Sequence, residues 1–547
     1  MSRTRTFALL LLITTAAIAI QGYHPGLEDD AFYLAAIKRD LNPALFPHDA
    51  DFFRLQFQAT IFDKLIAASV RLTHLPLSLT IFLWQFAATF LILAACLAIA
   101  RRSFPSPQAH WAAVLTVAVL LTIPVSGTAI SLTDQYLHPR ALATAALLGA
   151  IAATLDRRPL RAAFLLFAAA LVHVIMAAFG VSLCIFLGWH IPRSFGELPA
   201  SHHPRPSSAG SRHHLATALL LAAVPLPWLF EPTSEAWHQA ASTRHFYFLS
   251  QWHWYEWLGV IAPFFILYYF TRLSRHSDLS RPSVAETTPT QTAATSKSAE
   301  ENPASRKDSS APRCLCGGGG FHHLSTRLLY YAIFQLAVAL LIMLPPPLER
   351  LRPFEPMRFL QLVYLLMFLL AGGLIGQYIL TKNVYRWLLL FIPLSAGMFY
   401  AQRQMYPSTA HLELPGFAPS SDWLRAFDWV RKNTPADALF ALDPYYLELP
   451  GEDFHGFRAL AERSALADMV KDPGMAARVP SLAPRWLRES SATRNWQNFQ
   501  SSDFQNLKAT FGINWVILAN SPVAAQSTAA PTCPYQNPTV KVCRLRE

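Results

Sequence analysis

Long apolar segments recur through the first 400 residues and are separated by short polar stretches rich in arginine. A helix needs about 20 apolar residues to cross a bilayer. The segments that approach this length predict about 11 transmembrane helices, at 7–22, 77–100, 110–129, 141–155, 161–175, 176–190, 214–230, 255–272, 327–345, 357–380 and 385–401. The stretch 161–190 is compatible with two spans or with one long tilted helix. The pattern therefore predicts an all-α polytopic membrane bundle over residues 1–401.

The composition agrees with a membrane chain and indicates its orientation. Of the 547 residues, 53% are hydrophobic and only 14% are charged, which is too little charge for a soluble protein of this size. Arginines recur in alternate loops, which makes those loops and the N-terminus cytoplasmic. The net charge of +11 is thus mostly topological and indicates no nucleic-acid partner. The chain also lacks an N-x-[ST] sequon, which favours the bacterial cytoplasmic (inner) membrane.

Two polar regions interrupt the apolar pattern. Residues 23–76 form a long extracytoplasmic loop in which 30–41 and 55–72 carry apolar side chains at helical spacing. This spacing is typical of amphipathic helices that lie on the membrane surface or against the bundle. Residues 275–326 are rich in Ser, Thr, Ala and Pro and cannot bury a core. They predict a disordered cytoplasmic loop.

After residue 402 the sequence predicts a small extracytoplasmic α/β domain that extends to residue 547. Residues 421–432 read as an amphipathic helix, and 438–442 and 513–519 read as short buried strands. Cys533 and Cys543 flank a turn-rich segment. In an oxidising compartment this pair predicts a local disulfide.

The acidic sequence Glu28-Asp29-Asp30 follows the first apolar helix directly. A charge at a membrane edge needs a reason, because burying it in hydrocarbon costs several kcal/mol. Carboxylates at the mouth of a helical bundle suit a general base or a cation ligand. Asp30 opens the predicted helix 30–41 and is our first candidate for the base, whereas Asp29 precedes that helix and suits an N-cap.

Two further polar groups are predicted at the same membrane face. His138 and Arg140 lie in the short loop before the fourth span, and Arg350 and Arg358 precede the tenth. Arginine binds phosphate through charge-assisted, often bidentate hydrogen bonds, so these four residues are candidates for binding a lipid phosphate. The alternative is that all of them are ordinary loop charges and helix caps.

The arrangement of spans, acidic first outer loop and C-terminal outer domain resembles the GT-C superfamily of membrane glycosyltransferases. That resemblance implies transfer of a sugar from a polyprenyl-phosphate donor at the outer face, with Asp29 or Asp30 as the catalytic carboxylate. It implies no organic cofactor, although a divalent cation is possible. The segments 137–140, 172–173, 358–360, 433–435, 456–458 and 462–464 also resemble a group of uncharacterised bacterial membrane proteins of this architecture.

The leading hypothesis is therefore an inverting glycosyl transfer to a glycan, lipid or protein acceptor in the cell envelope. A lipid or polysaccharide transporter or flippase is the second hypothesis, although the spans show no obvious repeat of the kind that transporters have. A third is a non-catalytic membrane assembly protein. No motif identifies the donor sugar or the acceptor.

Overall fold

The computed structural model describes residues 2–53, 58, 60–188, 233–279, 319–520 and 532–545. Helices dominate residues 2–405 of this part. They are α1 (Arg3–Gln21), α2 (Asp30–Leu41), α3 (Phe62–Thr73), α4 (Leu77–Ser103), α5 (Pro107–Val119), α6 (Pro139–Leu155), α7 (Pro159–Val172), α8 (Val174–Gly188), α9 (Glu235–Ser242), α10 (Trp254–Leu279), α11 (Gly319–Met343), α12 (Leu360–Leu374) and α13 (Val384–Met405). Short 3-10 turns at His245–Tyr247, Leu249–Gln251, Pro346–Phe354 and Pro356–Phe359, a π-helix at Ile375–Leu380 and a two-residue hairpin of β1 (Pro124–Val125) and β2 (Ile130–Ser131) connect them.

Five helical segments of the described chain are long and apolar enough to cross a membrane. They are Arg3–Gln21, Leu77–Ser103, Gly319–Met343, Pro356–Leu380 and Val384–Met405. These segments make a multi-pass membrane protein plausible, but they do not support the predicted count of about 11 spans.

The difference in span count has a physical reason. Two of the predicted spans form helices α6 and α7, which have 17 and 14 residues. At 1.5 Å per residue they reach about 21–26 Å, less than the hydrocarbon thickness of about 30 Å. Helix α8 has 15 residues within the described part of the chain. The 13-residue α5 is shorter still. Helix α10 is not among the five segments, because Trp, Tyr and Glu residues lower its mean hydropathy. The predicted span 214–230 lies outside the described residues.

The stretch 161–190 forms two helices within its described part. The chain is extended at His173, which ends α7, and α8 begins at the next residue. The two helices pack against each other and against α6. The break at His173 excludes one continuous helix over this stretch, and neither helix is among the five long apolar segments.

The bundle has two chemically different ends. At one end Arg102, in the last turn of α4, forms an ion pair with Asp156 at the end of α6. Gly320 of α11 approaches this end so closely that a Cβ there would lie 2.1 Å from the carbonyl oxygen of Arg102. The opposite end carries the C-terminus of α1, the N-terminus of α6 and the C-terminal domain. The positive-inside rule predicts that this second end faces outward.

The first outer loop contains the two helices that the sequence predicted. Helix α2 begins and ends at the predicted residues, and its apolar side packs against the bundle and the C-terminal domain. Helix α3 begins at Phe62, later than the predicted residue 55; residues 54–57 and 59 lie outside the described part. The predicted disordered loop 275–326 is wrong at both of its edges, because α10 continues to Leu279 and α11 begins at Gly319; residues 280–318 are not described.

The C-terminal domain combines helices with one five-stranded sheet. Its helices are α14 (Asp422–Asn433), α15 (Phe457–Ala461), α16 (Asp472–Arg478), α17 (Ala483–Thr493) and α18 (Ser501–Phe511), with 3-10 turns at Tyr446–Glu448, Pro480–Leu482 and Trp496–Asn498. Its strands are β3 (Leu439–Ala441), β4 (Ser464–Ala465), β5 (Trp515–Ala519), β6 (Thr532–Gln536) and β7 (Val540–Arg544). The sheet order is β4-β3-β5-β7-β6, in which β3 pairs in parallel with β4 and β5 while the β7 pairings are antiparallel. The predicted small sheet domain is thus confirmed.

Local sequence signals explain several elements of this domain. The hydroxyl of Ser421 accepts a hydrogen bond from the Leu424 amide and caps α14. The apolar side of α14 packs over the sheet, with Trp423 and Phe427 buried. Cys533 and Cys543 form the predicted disulfide between β6 and β7.

We expect the loops at the two ends of the bundle to lie on opposite sides of the membrane. Reporter domains inserted after residue 157, in the turn between α6 and α7, and after residue 420 should report the cytoplasm and the outside, respectively. An insertion within the exposed turn at residue 436 serves as the control, because it should match residue 420. If positions 157 and 420 report the same compartment, the outward assignment is wrong.

Candidate functional site

The loop between α1 and α2 is held on two sides by backbone hydrogen bonds. The amide of His24 donates to the Gln135 carbonyl of the bundle, at 2.9 Å. The amide of Glu28 donates to Phe454 of the C-terminal domain, also at 2.9 Å. Gly26 has a φ of +85°, and a Cβ there would lie 2.8 Å from the Leu460 side chain. The acidic sequence therefore sits in a clamped turn with a defined direction for each side chain.

Asp30 points into the protein. Its side chain is buried, and its Oδ2 accepts a hydrogen bond from the Gly26 amide at 2.6 Å. Burial raises the pKa of this carboxyl to about 7, although the Gly26 hydrogen bond and the nearby Lys38 oppose the rise. Asp30 thus closes the turn that precedes α2.

Asp29 points the other way, towards basic side chains. It occupies the N-cap position of α2, but its side chain makes no capping hydrogen bond, so the predicted cap is wrong. The side chain is 37% exposed, and Lys471 Nζ lies 3.4 Å from its Oδ1. Partial burial opposes ionisation, but Lys471 and Arg478 outweigh it and hold the pKa of Asp29 below its usual range.

Arg140 is a buried guanidinium with only part of its hydrogen-bonding capacity used. It is 1% exposed, and its Nη2 donates to both carboxylate oxygens of Asp134, at 2.6 and 2.7 Å. Its Nε and Nη1 groups are buried and have no hydrogen-bond partner among the described residues. Unpaired buried N–H groups cost free energy, so these donors are suited to an anion that binds beside them.

His138 caps helix α6 and is held as a neutral imidazole. Its Nδ1 accepts a hydrogen bond from the Arg140 amide at 2.9 Å, which leaves the ring hydrogen on Nε2. Burial lowers the pKa of His138 well below its ordinary value, and the charge of Arg140 lowers it further. The ring packs edge-on against Tyr33 of α2, at 4.7 Å between centroids.

Arg358 reaches the same region from the segment before α12. Glu355, which has a φ of +53°, accepts hydrogen bonds from Arg358 at 2.5 Å and from Arg478 of α16 at 2.6 Å. Arg358 is buried, and its charge acts on both Asp29 and His138. Arg350 lies in the preceding 3-10 helix, Pro346–Phe354, and has no assigned role in this region.

We call this group of side chains the outer-face cluster; its members are Asp29, His138, Arg140, Arg358, Lys471 and Arg478. Sequence reasoning identified the first four and missed Lys471 and Arg478. Lys471 precedes an Asp-Pro-Gly sequence, and Arg478 ends a short helix. No local pattern distinguishes either from a surface cation, because each meets its carboxylate partner only through the tertiary fold.

The outer-face cluster can bind an anion and carries a carboxylate at its open edge. The C-terminal domain also has a groove of about 570 Å³ along α17 and α18, which includes Arg488, Asn495 and Asp503. None of the cluster residues lines that groove. The chemistry therefore concentrates where the loop after α1, the bundle and the C-terminal domain meet.

Comparison with known proteins adds one finding for the C-terminal domain. Residues 421–480 match a family described as a domain of unknown function (DUF6798). No curated protein matches the chain. The matched segment covers α14 to α16 and contains Lys471 and Arg478, the two cations that the C-terminal domain adds to the outer-face cluster.

Proposed function

We propose that this protein is a membrane glycosyltransferase that takes its sugar from a polyprenyl-phosphate donor at the outer face of the membrane. In this reaction an acceptor hydroxyl attacks the anomeric carbon, and the bond from that carbon to the phosphate oxygen breaks. The electron pair leaves with the lipid phosphate, and the hydroxyl proton passes to a carboxylate of the protein. The configuration at the anomeric carbon inverts.

The observation that carries the proposal is the pair of unpartnered donors on Arg140. A buried guanidinium whose Nε and Nη1 lack acceptors can donate to a phosphate oxygen from either nitrogen, because Asp134 occupies only Nη2. The Nε2–H of His138 supplies a neutral donor beside it, and Arg358 adds positive charge. Because these groups are shielded from water, their interaction with the leaving phosphate is stronger than it would be in solvent.

Asp29 is the better supported base. A base must first reach the hydroxyl, and only then does its pKa matter. Asp30 is 2% exposed and already accepts the Gly26 amide, so an acceptor cannot approach it, whereas Asp29 is partly open to solvent. This reverses the order that the sequence favoured.

Donor binding explains how Asp29 gains basicity. The cations that lower its pKa, Arg358 among them, belong to the cluster that would hold the phosphate. A bound phosphate partly cancels their field, so the pKa of Asp29 rises when the donor is present. The carboxylate therefore becomes a competent base only in the donor complex.

Replacing the ion pair Arg140–Asp134 by neutral side chains should weaken lipid-phosphate binding about 10²–10³-fold, since a phosphate-binding arginine contributes a few kcal/mol. The double variant Arg140→Gln/Asp134→Asn avoids leaving a buried carboxylate unpaired. Binding of polyprenyl phosphate in detergent micelles to the purified chain is the measurement.

Arg71→Ala is the matched control for that experiment. Arg71 lies on α3 at the same face and pairs with Asp40 at the surface, so its loss should leave binding unchanged. Asp134→Asn alone reports any damage to the fold. Unchanged binding in a folded double variant would remove the main support for the proposal.

Asp29→Asn should abolish transfer while Asp30→Asn keeps it. Losing a general base lowers the rate about 10²–10⁴-fold, whereas Asn at position 30 can still accept the Gly26 hydrogen bond. A deletion strain complemented with each variant is profiled for lipid-linked and surface glycans. The strain with Asp29→Asn should accumulate unextended lipid-linked sugar on the outer leaflet.

Three outcomes of that profiling would each contradict part of the proposal. Accumulation of the lipid-linked sugar on the inner leaflet would indicate a flippase. Normal glycans in both strains would indicate that the acidic turn is only structural. Loss of glycans in the Asp30→Asn strain alone would restore the original order of the two carboxylates.

Asp30→Asn should also change how stability depends on pH. The folded-state pKa of Asp30 is about 7, above the ordinary value near 4, so its stabilising effect is complete below about pH 4 and is lost as the pH rises through 7. Between pH 5 and 8 the wild type should lose about 2–3 kcal/mol relative to the variant. Thermal unfolding in detergent measures this, with the exposed Asp437→Asn as control; equal pH profiles of wild type and Asp30→Asn would contradict a buried, neutral Asp30.

A further inference from the structure

A second group of side chains lies beside the loop after α1 and takes no part in the proposed transfer. His24 follows the end of α1, Glu413 lies in the linker after α13, and His455 precedes α15. The ligand atoms of these three residues all lie within 4.8 Å of one another. Both histidines are completely buried, and the Glu413 side chain is 16% exposed.

Both imidazole rings lie within hydrogen-bonding distance of the same carboxylate oxygen, Glu413 Oε1. His24 Nδ1 lies 2.7 Å and His455 Nε2 lies 3.1 Å from Glu413 Oε1. Ligands of a tetrahedral zinc ion, at about 2.0–2.2 Å from the metal, are separated by roughly 3.3–3.5 Å. Small side-chain rotations would therefore bring the three atoms to the separations of a metal site.

Backbone contacts orient His455 as a metal ligand. Its Nδ1 lies 3.1 Å from the Glu452 carbonyl oxygen. Because a carbonyl oxygen only accepts hydrogen bonds, Nδ1 carries a hydrogen, and Nε2 faces the Glu413 carboxylate. Either a second proton on Nε2 or a metal ion would join these two groups. A hydrogen bond from the remote ring nitrogen to a carbonyl is also the usual support of a metal-bound histidine.

His24 directs its Nδ1 at Glu413, so Nδ1 is the atom that would bind the ion. Its Nε2, on the opposite side of the ring, is buried and has no hydrogen-bond partner among the described residues. Its backbone is held, because its amide donates to Gln135 and its neighbour Tyr23 pairs with the linker at Leu412. The ring is therefore buried and fixed, and only one of its two nitrogens has a hydrogen-bond partner among the described residues.

We propose that His24, Glu413 and His455 bind a divalent transition-metal ion of the zinc class. Two imidazoles and one carboxylate are a known zinc donor set, which leaves a fourth position for water. Three separate segments supply the ligands, so the ion would join the exit of α1, the linker and the C-terminal domain. This site does not depend on the proposed glycosyl transfer.

The test is metal content and affinity of the full chain, purified without a histidine tag and without chelators. We expect about one zinc ion per wild-type chain, and at least a tenfold lower affinity for Zn²⁺ in Glu413→Gln and His455→Ala. Glu413→Gln preserves the shape of the side chain but removes its charge. Thermal unfolding of the chelator-treated protein should show that added Zn²⁺ stabilises the wild type and not Glu413→Gln.

His253→Ala is the matched control, because His253 is exposed and stacks on Tyr255. It should retain full zinc binding and stabilisation. A folded wild type that binds no Zn²⁺, Mn²⁺ or Co²⁺ would overturn the proposal and leave a hydrogen-bonded His-Glu-His group. Stoichiometric zinc that persists in both ligand variants would also overturn it, since the ion would then lie elsewhere.

Discussion

The guanidinium of Arg458 fixes the C-terminal domain to the first outer loop. It forms ion pairs with Asp49 of that loop and with Asp472 at the start of α16, and both carboxylates are fully buried. Removing the arginine would leave two buried carboxylates without a counter-charge, which is far more costly than the pair itself is stabilising. The network therefore specifies one docking arrangement. Lys471, the neighbour of Asp472, reaches Glu28 and Asp29 only in that arrangement.

This docking explains why the adjacent carboxylates of Asp29 and Asp30 lie in different environments. The turn at Gly26 directs Asp30 inward, where burial favours its neutral form, and turns Asp29 towards the cations of the bundle and of α16. The same clamped loop begins with His24, which meets Glu413 and His455. The positions of Asp29 and of the proposed metal ligand His24 thus depend on one short connection, which is held by hydrogen bonds on two sides. Rigid support of this kind holds reactive groups within the tolerance that catalysis requires.

The predicted span count and the five long apolar segments of the described residues differ for a general reason. Apolar composition reports that a helix avoids water, and both lipid and the interior of a bundle satisfy that requirement. Helix α6 is apolar because it packs among other helices, and its length, rather than its hydropathy, separates it from the five long segments. A count of apolar segments in the sequence therefore does not distinguish helices that cross the membrane from helices that are buried in the bundle.

The sequence by itself determined the elements whose signals are local. These are α2, α14, the strands at 439–441 and 515–519, and the Cys533–Cys543 disulfide, each specified by spacing, caps or turns within a few residues. It also indicated Asp29, Asp30, His138, Arg140 and Arg358, because charge next to apolar helices is conspicuous. Only the tertiary structure decided which of the two aspartates faces the cations, and which distant residues join them. His24 meets Glu413 across 389 residues, and Lys471 meets Asp29 across 442. Contacts at such separations leave no periodic trace in the chain, since they arise from how the finished elements pack.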